Sequence, residues 1–299
     1  MVVGSASRDL TSEDPRGWRL GGAAAYLGLT LARLGLRPRI VLGVDPAAVT
    51  AIELQWLRDA GADLHLHQLA EGPVFTNRDY ATGRVQLCET PGVPIPTSAI
   101  PAKWLTTGAW CLVPVAGEID DAWAEVLRDG DFLAIGWQGF LRNLPRNGVV
   151  TRRAPSASSL LRRANVVCVS RDDVVDASPE SLLPLLGTPI LLAITAGSEG
   201  GTVVRVDEAG RTRMRRYPAI EADTIRDATG SGDAFLAGLV ATRLGHPLGG
   251  SGRRGSDLRL AAALGSLVVE GPGLGGVPTR AAVAERMRRT LTPPQGRAR

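Results

Sequence analysis

Short apolar runs alternate with longer amphipathic stretches along most of the chain. The short runs predict strands, and those after residue 100 are continuously apolar, as in strands buried on both faces of a parallel sheet. They lie at residues 1–3, 40–44, 110–113, 132–135, 166–169 and 190–194.

The longer segments have the apolar spacing of helices. They lie at residues 23–34, 49–60, 233–243, 257–269 and 280–290. Gly35 and Gly61 directly follow the first two, where glycine commonly ends a helix. Because helical and strand patterns alternate, the sequence predicts an α/β fold: a doubly wound, mostly parallel sheet flanked by helices.

Three β-type segments, at 64–69, 74–80 and 84–89, interrupt this alternation. Ala81-Thr82-Gly83 separates the last two and predicts a hairpin turn. We expect residues of about 10–20 and 64–90 to form a small β lid over one edge of the sheet. The whole chain, 1–299, is predicted to be a single domain.

Composition narrows the classes of partner. The chain has 44% hydrophobic residues and a net charge of +4. Lys103 is the only lysine and the arginines are scattered, which favours a solvated surface over a nucleic-acid patch. No run of 18 apolar residues occurs, so no membrane partner is expected.

Cysteine usage and the first residues favour a cytoplasmic protein. Cys88, Cys111 and Cys168 are widely spaced and odd in number, which fits reduced thiols better than disulfides or a metal site. The amino-terminal segment lacks the basic residues and long apolar core of a secretory signal.

The most informative segment is residues 227–233, Asp-Ala-Thr-Gly-Ser-Gly-Asp, which runs directly into an apolar helical pattern. A glycine-rich turn at a helix start gathers backbone N–H groups, and the helix dipole adds positive potential for an anion such as a phosphate. Asp233, in the first helical turn, could remove a proton from a hydroxyl that attacks phosphorus. The alternative is that Asp233 only caps the helix.

Other nucleotide and hydrolase motifs are discounted. A Walker A loop requires Gly-Lys-Ser/Thr, whereas Lys103 follows Pro-Ala. Residues 250–255 have a dinucleotide-like glycine spacing but follow a helix rather than a strand, which indicates a loop. Only three histidines occur, and no Gly-x-Ser-x-Gly elbow, so a Ser-His-Asp hydrolase is not expected.

Over nearly its whole length the chain resembles the PfkB, or ribokinase-like, carbohydrate kinases. The strongest element is DATGSGDAFLAGL at 227–239. The resemblance implies that Asp233 is the catalytic base and that Gly230, Ser231 and Gly232 form the anion hole. It also places Asp227 and Thr229 near the ATP phosphates and, in some members, near a monovalent cation such as K⁺.

The amino-terminal part is similar to the family's substrate side. Gly21 and Gly22 open the first helical pattern, and glycine there allows the backbone to approach a small ligand. Tyr26 stands where many members have Asn, a departure that puts a ribose-type substrate in question. The resemblance makes Asp9 the candidate that binds sugar hydroxyls; the alternative is a turn residue.

Two further elements resemble the family's nucleotide side. Residues 195–200, Thr-Ala-Gly-Ser-Glu-Gly, are similar to a loop whose members Thr195, Gly197 and Gly200 contact ATP phosphates. Ser170 and Asp173 stand where the family has Asn-x-x-Glu, which helps to position Mg²⁺. The resemblance implies that Ser170 lies on the ATP side and that Asp173 holds a metal-bound water.

Substrate residues are less distinctive. Gln138 and Arg142 follow a predicted strand, and this pattern, with Glu118, looks more like the inositol and polyol branch of the family. These three side chains could line the substrate end of the sheet or could be loop and helix-cap residues.

The resemblance therefore implies an ATP-dependent kinase that phosphorylates a hydroxyl of a small sugar or polyol such as myo-inositol. One alternative is a nucleoside kinase, in which Trp18, Phe75 and Tyr80 would form a slot for the nucleobase of the substrate. Another is a ligand-binding or regulatory homologue that has lost the reaction. A homodimer paired through the lid sheet is left open.

Overall fold

The computed structural model describes residues 1–80, 83–175, 177–249 and 256–290. The centre of the predicted hairpin turn, residues 81–82, and the dinucleotide-like segment at 250–255 lie outside the described residues. Within those ranges, every helix is too short or too polar to cross a membrane.

The structure contains the predicted strands and helices together with several short elements that the sequence pattern did not indicate. In chain order the strands are β1 (Val2–Ser5), β2 (Ser7–Leu10), β3 (Trp18–Gly21), β4 (Arg39–Val44), β5 (Asp63–Gln68), β6 (Pro73–Tyr80), β7 (Gly83–Pro91), β8 (Ala109–Leu112), β9 (Phe132–Gly136), β10 (Arg142–Asn143), β11 (Gly148–Val149), β12 (Thr151–Arg152), β13 (Val166–Ser170), β14 (Ile190–Thr195), β15 (Gly201–Val206) and β16 (Thr212–Tyr217). The helices are α1 (Ala23–Arg33), α2 (Glu53–Asp59), α3 (Ser159–Arg163), α4 (Pro179–Leu182), α5 (Ser231–Arg243), α6 (Ser256–Val268) and α7 (Arg280–Arg289).

The large sheet has nine strands in the order β16-β15-β14-β13-β9-β8-β1-β4-β5. All neighbours from β14 to β5 run parallel, and only β15 and β16 are added antiparallel. This arrangement confirms the predicted α/β fold with a mostly parallel sheet. Sequence analysis missed β15 and β16, because β16 is exposed at its first five positions and lacks the apolar alternation that marks a strand.

The helix predicted at 49–60 is shorter than expected. Residues Ala48–Thr50 form a 3₁₀ turn, the chain is extended at Ala51, and α2 begins at Glu53. The Asp45 carboxylate accepts the N–H groups of Ala47 and Ala48, and so fixes this separate turn.

A second sheet of five strands, in the order β11-β7-β6-β2-β3, lies beside the first. The predicted lid segment 64–90 needs a correction, because β5 pairs in parallel with β4 as the edge strand of the large sheet. Leu64 and Leu66 lie beside Ile40 and Leu42 in that register. Of the predicted segment 64–90, only β6 and β7, from Pro73 onward, belong to the smaller sheet. The predicted lid segment 10–20 lies between β2 and β3, which are two further strands of this sheet.

Apolar layers cover both faces of the large sheet. One layer contains buried Leu27 of α1, Phe235 of α5 and Leu264 of α6, while the other is built around Trp110, Trp123 and Trp137. Helices α1 and α5 pack against each other on the same face. Their amino termini therefore reach the same edge of the sheet, where the strands end.

Candidate active site

The turn before α5 has the geometry of an anion site. Gly230 is the N-cap, with φ 81° and ψ 0°, a left-handed conformation that glycine adopts without strain. A Cβ on Gly230 would lie 2.2 Å from Cδ1 of Tyr26, so only glycine fits. No side chain caps this helix start, and Gly232 has open space where a Cβ would be. The N–H of Gly232 is thus available to an anion, whereas the N–H of Ser231 makes a long hydrogen bond of 3.4 Å to the Ala228 carbonyl oxygen.

Asp233 is the third residue of α5 and is half-buried. Since Gly230 occupies the N-cap and no side chain hydrogen-bonds there, the alternative that Asp233 merely caps the helix is wrong. Burial raises the pKa of Asp233 to about 7, and the Arg142 guanidinium opposes that rise. A carboxyl with a pKa near neutrality is suited to general base catalysis.

Arg142, on β10, lies among the acidic groups of this region. Burial lowers its pKa, and the charges of Asp173, Asp233 and Asp9 act in the opposite direction. Residues from β2, β10, the turn after β13 and α5 are therefore within electrostatic reach of one guanidinium.

Asp9 is held by the pairing of β2 with β3. It lies within β2, so the alternative that it is a turn residue is wrong. The Ser7 hydroxyl donates a 2.9 Å hydrogen bond to the Asp9 carboxylate. A Cβ on Gly21, which pairs with Ser7, would lie 2.2 Å from Oδ2 of Asp9. Gly21 thus leaves room for this carboxylate.

Gly22 and Tyr26, at the start of α1, connect the region around Asp9, which is the predicted acceptor side, to the anion loop, residues 227–233. Gly22 is the N-cap of α1 with φ 102°, and a Cβ there would lie 2.3 Å from the carbonyl oxygen of Ser5. Tyr26 is 1% exposed, with its ring against Gly230. Burial raises the pKa of Tyr26 well above its usual value, and the charges of Asp9, Asp227 and Asp233 add to that rise.

Asp227 joins the anion loop to a second glycine-rich turn. One carboxylate oxygen accepts the N–H of Thr229 at 2.9 Å, and the other accepts the N–H of Gly273 at 3.1 Å. Sequence analysis missed the contribution of Gly273. The available signal was the glycine-rich stretch at 271–276.

The predicted donor loop forms a tight turn after β14. Gly197 and Gly200 have φ values of 54° and 84°, and a Cβ on Gly200 would lie 2.0 Å from the carbonyl oxygen of Tyr217. The Thr195 hydroxyl lies 3.4 Å from the Val169 carbonyl oxygen, at the ends of two adjacent strands. Glycine at position 200 therefore lets this turn pack directly against the backbone at Tyr217.

A neighbouring 3₁₀ turn, Arg171–Asp173, is capped by Ser170, whose hydroxyl accepts the N–H of Asp172. Arg171 makes a bidentate ion pair with Glu199, with distances of 2.7 and 2.9 Å. This pair, which sequence analysis missed, ties the Ser170 turn to the donor loop.

Asp173 lies beside Gln138, whose side-chain nitrogen donates to it at 3.4 Å. Burial raises the pKa of Asp173, whereas Arg142 and Gln138 lower it. Among the described residues, no group of three His, Cys, Asp or Glu side chains could hold a metal ion. This donor set fits Mg²⁺ only if phosphate and water oxygens supply most of the ligands.

Glu118 belongs to the framework of the site. It is 3% exposed and accepts N–H groups from Ser5, Val115 and Ala116 at 2.7–3.1 Å. Its carboxylate therefore joins the end of β1 to the loop after β8. For Glu118, the interpretation as a loop and cap residue is the correct one.

Comparisons with known proteins agree with this geometry. Residues 153–280 match the family described as pfkB family carbohydrate kinase. No curated protein matches the chain.

Solved structures share the fold across nearly the whole chain. A pyrophosphate-dependent kinase in the ribokinase family, complexed with a pyrophosphate analog and myo-inositol, has a TM-score of 0.74 at 17% identity, over 95% of this chain and 98% of that one. The nucleoside kinase of Methanocaldococcus jannaschii has a TM-score of 0.68 at 16% identity, over 96% and 98% of the two chains. The ribokinase of Arabidopsis thaliana, complexed with ribose and ATP, has a TM-score of 0.66 at 17% identity, over 96% and 97%.

These TM-scores show a common fold, and the family match covers the segment that contains β13–β16, the anion loop and α5. The chain therefore has the ribokinase fold, and its residues 153–280 are similar to the pfkB family of carbohydrate kinases.

Proposed function

We propose that this kinase transfers a phosphoryl group from ATP to one hydroxyl of a small sugar or polyol. The observation that carries the proposal is the Asp233 carboxyl, which has a pKa of about 7 and lies in the first turn after the left-handed Gly230. A base and an uncapped helix start thus occur within one turn of the same helix. These are the groups that phosphoryl transfer to an alcohol requires.

In the proposed reaction, Asp233 accepts the proton of the acceptor hydroxyl while the hydroxyl oxygen forms a bond to the γ-phosphorus of ATP. The bond from phosphorus to the bridging oxygen breaks, and its electron pair leaves with ADP. The N–H groups of Ser231 and Gly232, beside Gly230, hold the phosphoryl oxygens. Asp9 orients the acceptor through its other hydroxyls, and Arg142 offsets the negative charge that gathers between Asp173 and Asp233.

The donor is proposed to bind along the turn that contains Thr195, Gly197 and Gly200, with Ser170 beside it. A groove of about 1050 Å³ lies between the segment after β16 and helices α6 and α7. Its wall residues Tyr217 and Ala219 lie beside Gly200 of this turn. Its apolar walls suit a purine ring and include Tyr217, Pro218, Ala219, Ile220, Leu258 and Ala262.

Charged side chains also line this groove, among them Asp223, Arg259 and Arg289. Pyrophosphate is the second candidate donor, because a structural neighbour depends on it. The groove favours ATP, since pyrophosphate has no base to place there.

Mg²⁺ is proposed to be held by the donor phosphates, water and Asp173, the carboxylate that faces Arg142 and Gln138. When bound, it would neutralise charge on the transferred group. Asp227 and Thr229 stabilise the loop through their mutual hydrogen bond. Dependence on K⁺ at this position stays a prediction.

For the acceptor, a polyol such as myo-inositol is favoured over a nucleoside. Phe75 is 3% exposed and cannot stack on a base without movement. Trp18 is covered by Arg16 and Arg8, whose guanidinium carbons lie 4.6 and 5.7 Å from the ring centroid. The side chain of Tyr80 lies outside the described residues. Gln138, Asp9 and Arg142 instead offer hydrogen bonds and charge to hydroxyl groups.

The test is a panel of monosaccharides, myo-inositol, other polyols and nucleosides, each with Mg²⁺ and either ATP or pyrophosphate. We expect a phosphorylated product and ADP with ATP and at least one sugar or polyol. If product forms with pyrophosphate but not with ATP, pyrophosphate replaces ATP as the proposed donor. If only nucleosides are phosphorylated, a nucleoside replaces the polyol as the proposed acceptor. No product with any pair would favour the ligand-binding homologue.

A further inference from the structure

A cleft of about 700 Å³ lies at the amino-terminal ends of β13 and β14. It is lined by Asn165, Pro189 and Ile190, where these two strands begin, and by the turn between β15 and β16. The Ser170 turn and the donor loop follow the carboxyl ends of the same two strands. This basal cleft is therefore on the opposite edge of the sheet from the candidate active site, and its volume is in the range of small-molecule sites.

Helix α5 connects the two regions. It begins at Ser231, beside Gly230, and ends at Arg243, which lines the basal cleft. A helix of 13 residues is about 20 Å long, because each residue adds about 1.5 Å. A ligand in the basal cleft is therefore distinct from an anion at the loop before α5.

Strand register places arginines on one wall of the basal cleft. Arg205 of β15 pairs with Arg213 of β16, and residues paired in a ladder share a face. Because side chains alternate, Tyr217 is on this face as well, and its ring stacks on Phe235 of α5 with 5.3 Å between ring centroids. The face is therefore packed toward α5, whose last residue, Arg243, brings a third arginine to the cleft.

The lining of the basal cleft is positively charged. It includes four arginines, one aspartate and one glutamate, which gives a net charge of +2. Asp207 is engaged by Arg211, whose Nε and backbone N–H donate to its carboxylate at 2.8 and 2.9 Å. That pair is neutral, so the net charge of the lining comes from the other three arginines and Glu208, which is exposed.

Asn165 adds uncharged hydrogen-bond donors to the same cleft. Its Oδ1 accepts the N–H of Leu133 at 2.8 Å, which orients the half-buried amide and leaves its NH₂ group to donate. Guanidinium and amide N–H groups are donors suited to phosphate oxygens. Because these donors come from two strands, a helix and the start of β13, they suit an anion with more than one phosphate group.

We propose that the basal cleft binds a small multivalent anion, a molecule that carries a diphosphate or two phosphate groups. Its oxygens lie between Arg213 and Arg243, with Arg205 beside Arg213 on the same face. Arginines at directly paired positions bring like charges together, and an anion between them offsets that repulsion. The inference is independent of the proposed function, because the described residues that line this cleft are not those of the candidate active site.

The experiment is a calorimetric titration of the full chain, without acceptor, using inorganic pyrophosphate, orthophosphate and ADP as probes. The test variant combines Arg213→Gln with Arg243→Gln. The control combines Arg37→Gln with Arg58→Gln, which removes the same charge from exposed positions beside β4 and β5, at the other end of the large sheet.

We expect the test variant to lose one pyrophosphate site, with affinity there reduced roughly 10- to 100-fold, whereas the control keeps the wild-type affinity within about twofold. Orthophosphate should bind this site more weakly than pyrophosphate, since it reaches fewer of the donors. ADP carries the same diphosphate on an organic group, so a loss of ADP binding in the test variant identifies an organic source, and a loss of pyrophosphate binding alone identifies an inorganic one.

Equal pyrophosphate affinity and stoichiometry in the wild type and the test variant would overturn the inference, as would an equal loss in the control. If thermal unfolding shows that the double variant is not folded, the single variants Arg213→Gln and Arg243→Gln give the same comparison. Binding of a short single-stranded DNA that is lost in the test variant, without any binding of pyrophosphate, would assign the arginines to nucleic acid instead. Failure of the wild type to phosphorylate any acceptor would remove the proposed function and leave this result unchanged.

Discussion

The anion loop and the proposed acceptor side of the candidate active site are built in different ways. The loop is one contiguous segment, residues 227–233, shaped by the backbone of Gly230 and the Asp227 hydrogen bonds. The acceptor side takes Asp9 from β2, Tyr26 from α1 and Arg142 from β10, and depends on how two sheets meet. Changes in the loop should therefore affect all acceptors alike, whereas changes on the acceptor side should affect them unequally.

The largest effect is expected from Asp233→Asn, which removes the proposed base. We expect kcat to fall by ~10²–10⁴-fold for every acceptor, because proton transfer in the transition state is lost. Asp129→Asn, at an exposed position, is the control. The measurement is ADP release, and undiminished turnover in Asp233→Asn would refute the assignment.

Gly230→Ala tests whether the loop geometry itself is needed. A Cβ there meets the Tyr26 ring, so the loop must shift, and a displacement of about 1 Å near the reacting groups can lower the rate by roughly 10²-fold. Gly210→Ala is the control, because Gly210 also has positive φ, 75°, but has nothing within 4 Å of the added Cβ. Both variants carry a left-handed penalty of about 1–2 kcal/mol.

Only Gly230→Ala should lose kcat with every acceptor. Equal kcat in the Gly230→Ala and Gly210→Ala variants, with both folded by thermal unfolding, would show that the contact with Tyr26 does not position the loop.

The pH profile links the two regions. If Asp233 is the base, kcat/KM should rise with pH through about 7, where its carboxyl loses its proton. Arg142 lowers the pKa of Asp233, so in Arg142→Gln the rising limb of the kcat/KM profile should move to higher pH. A limb that stays in place in Arg142→Gln would mean that the two groups are not coupled.

Stability should show the cost of keeping this carboxyl in the site. The folded pKa of Asp233, about 7, is above the ordinary value of 3.8, so between these values the folded state binds more protons than the unfolded state. Stability therefore falls as pH rises across this window. Asp233→Asn should raise the unfolding temperature at pH 8 more than at pH 4. Equal shifts at both pH values would contradict the raised pKa.

The smallest effect is expected from Arg171→Ala. Its ion pair with Glu199 joins the Ser170 turn to the donor loop, but both side chains are exposed. Exposed pairs contribute about 0–1 kcal/mol, so the donor KM should change by less than about fivefold, with the acceptor KM unchanged. A larger change would mean that Arg171 contacts the donor directly.

Sequence patterns were most informative where structure is local. The buried parallel strands β8, β9, β13 and β14 were predicted because both of their faces are covered, which makes them continuously apolar. Edge strand β16 was missed because five of its six residues are exposed. Strand β5 was assigned to the lid because it interrupts the alternation of strands and helices together with β6 and β7, whereas it is an edge strand of the large sheet.

Site residues divide in the same way. Asp233 and Gly230 were found from the sequence because the turn and the acid are adjacent in the chain. Gly273, which meets Asp227, and Glu199, which meets Arg171, were missed because each contact joins segments that are distant in sequence.

The sequence by itself determined the alternating α/β architecture and the glycine-rich turn that we propose to bind phosphate, because hydrophobic periodicity and the conformational freedom of glycine act over a few residues. Only the tertiary structure decided that Asp9, Asp173 and Asp233 come within electrostatic reach of Arg142 and that Glu118 is a framework residue. These relations depend on strand register and on the packing of two sheets, and burial within that packing is what raises the pKa of Asp233.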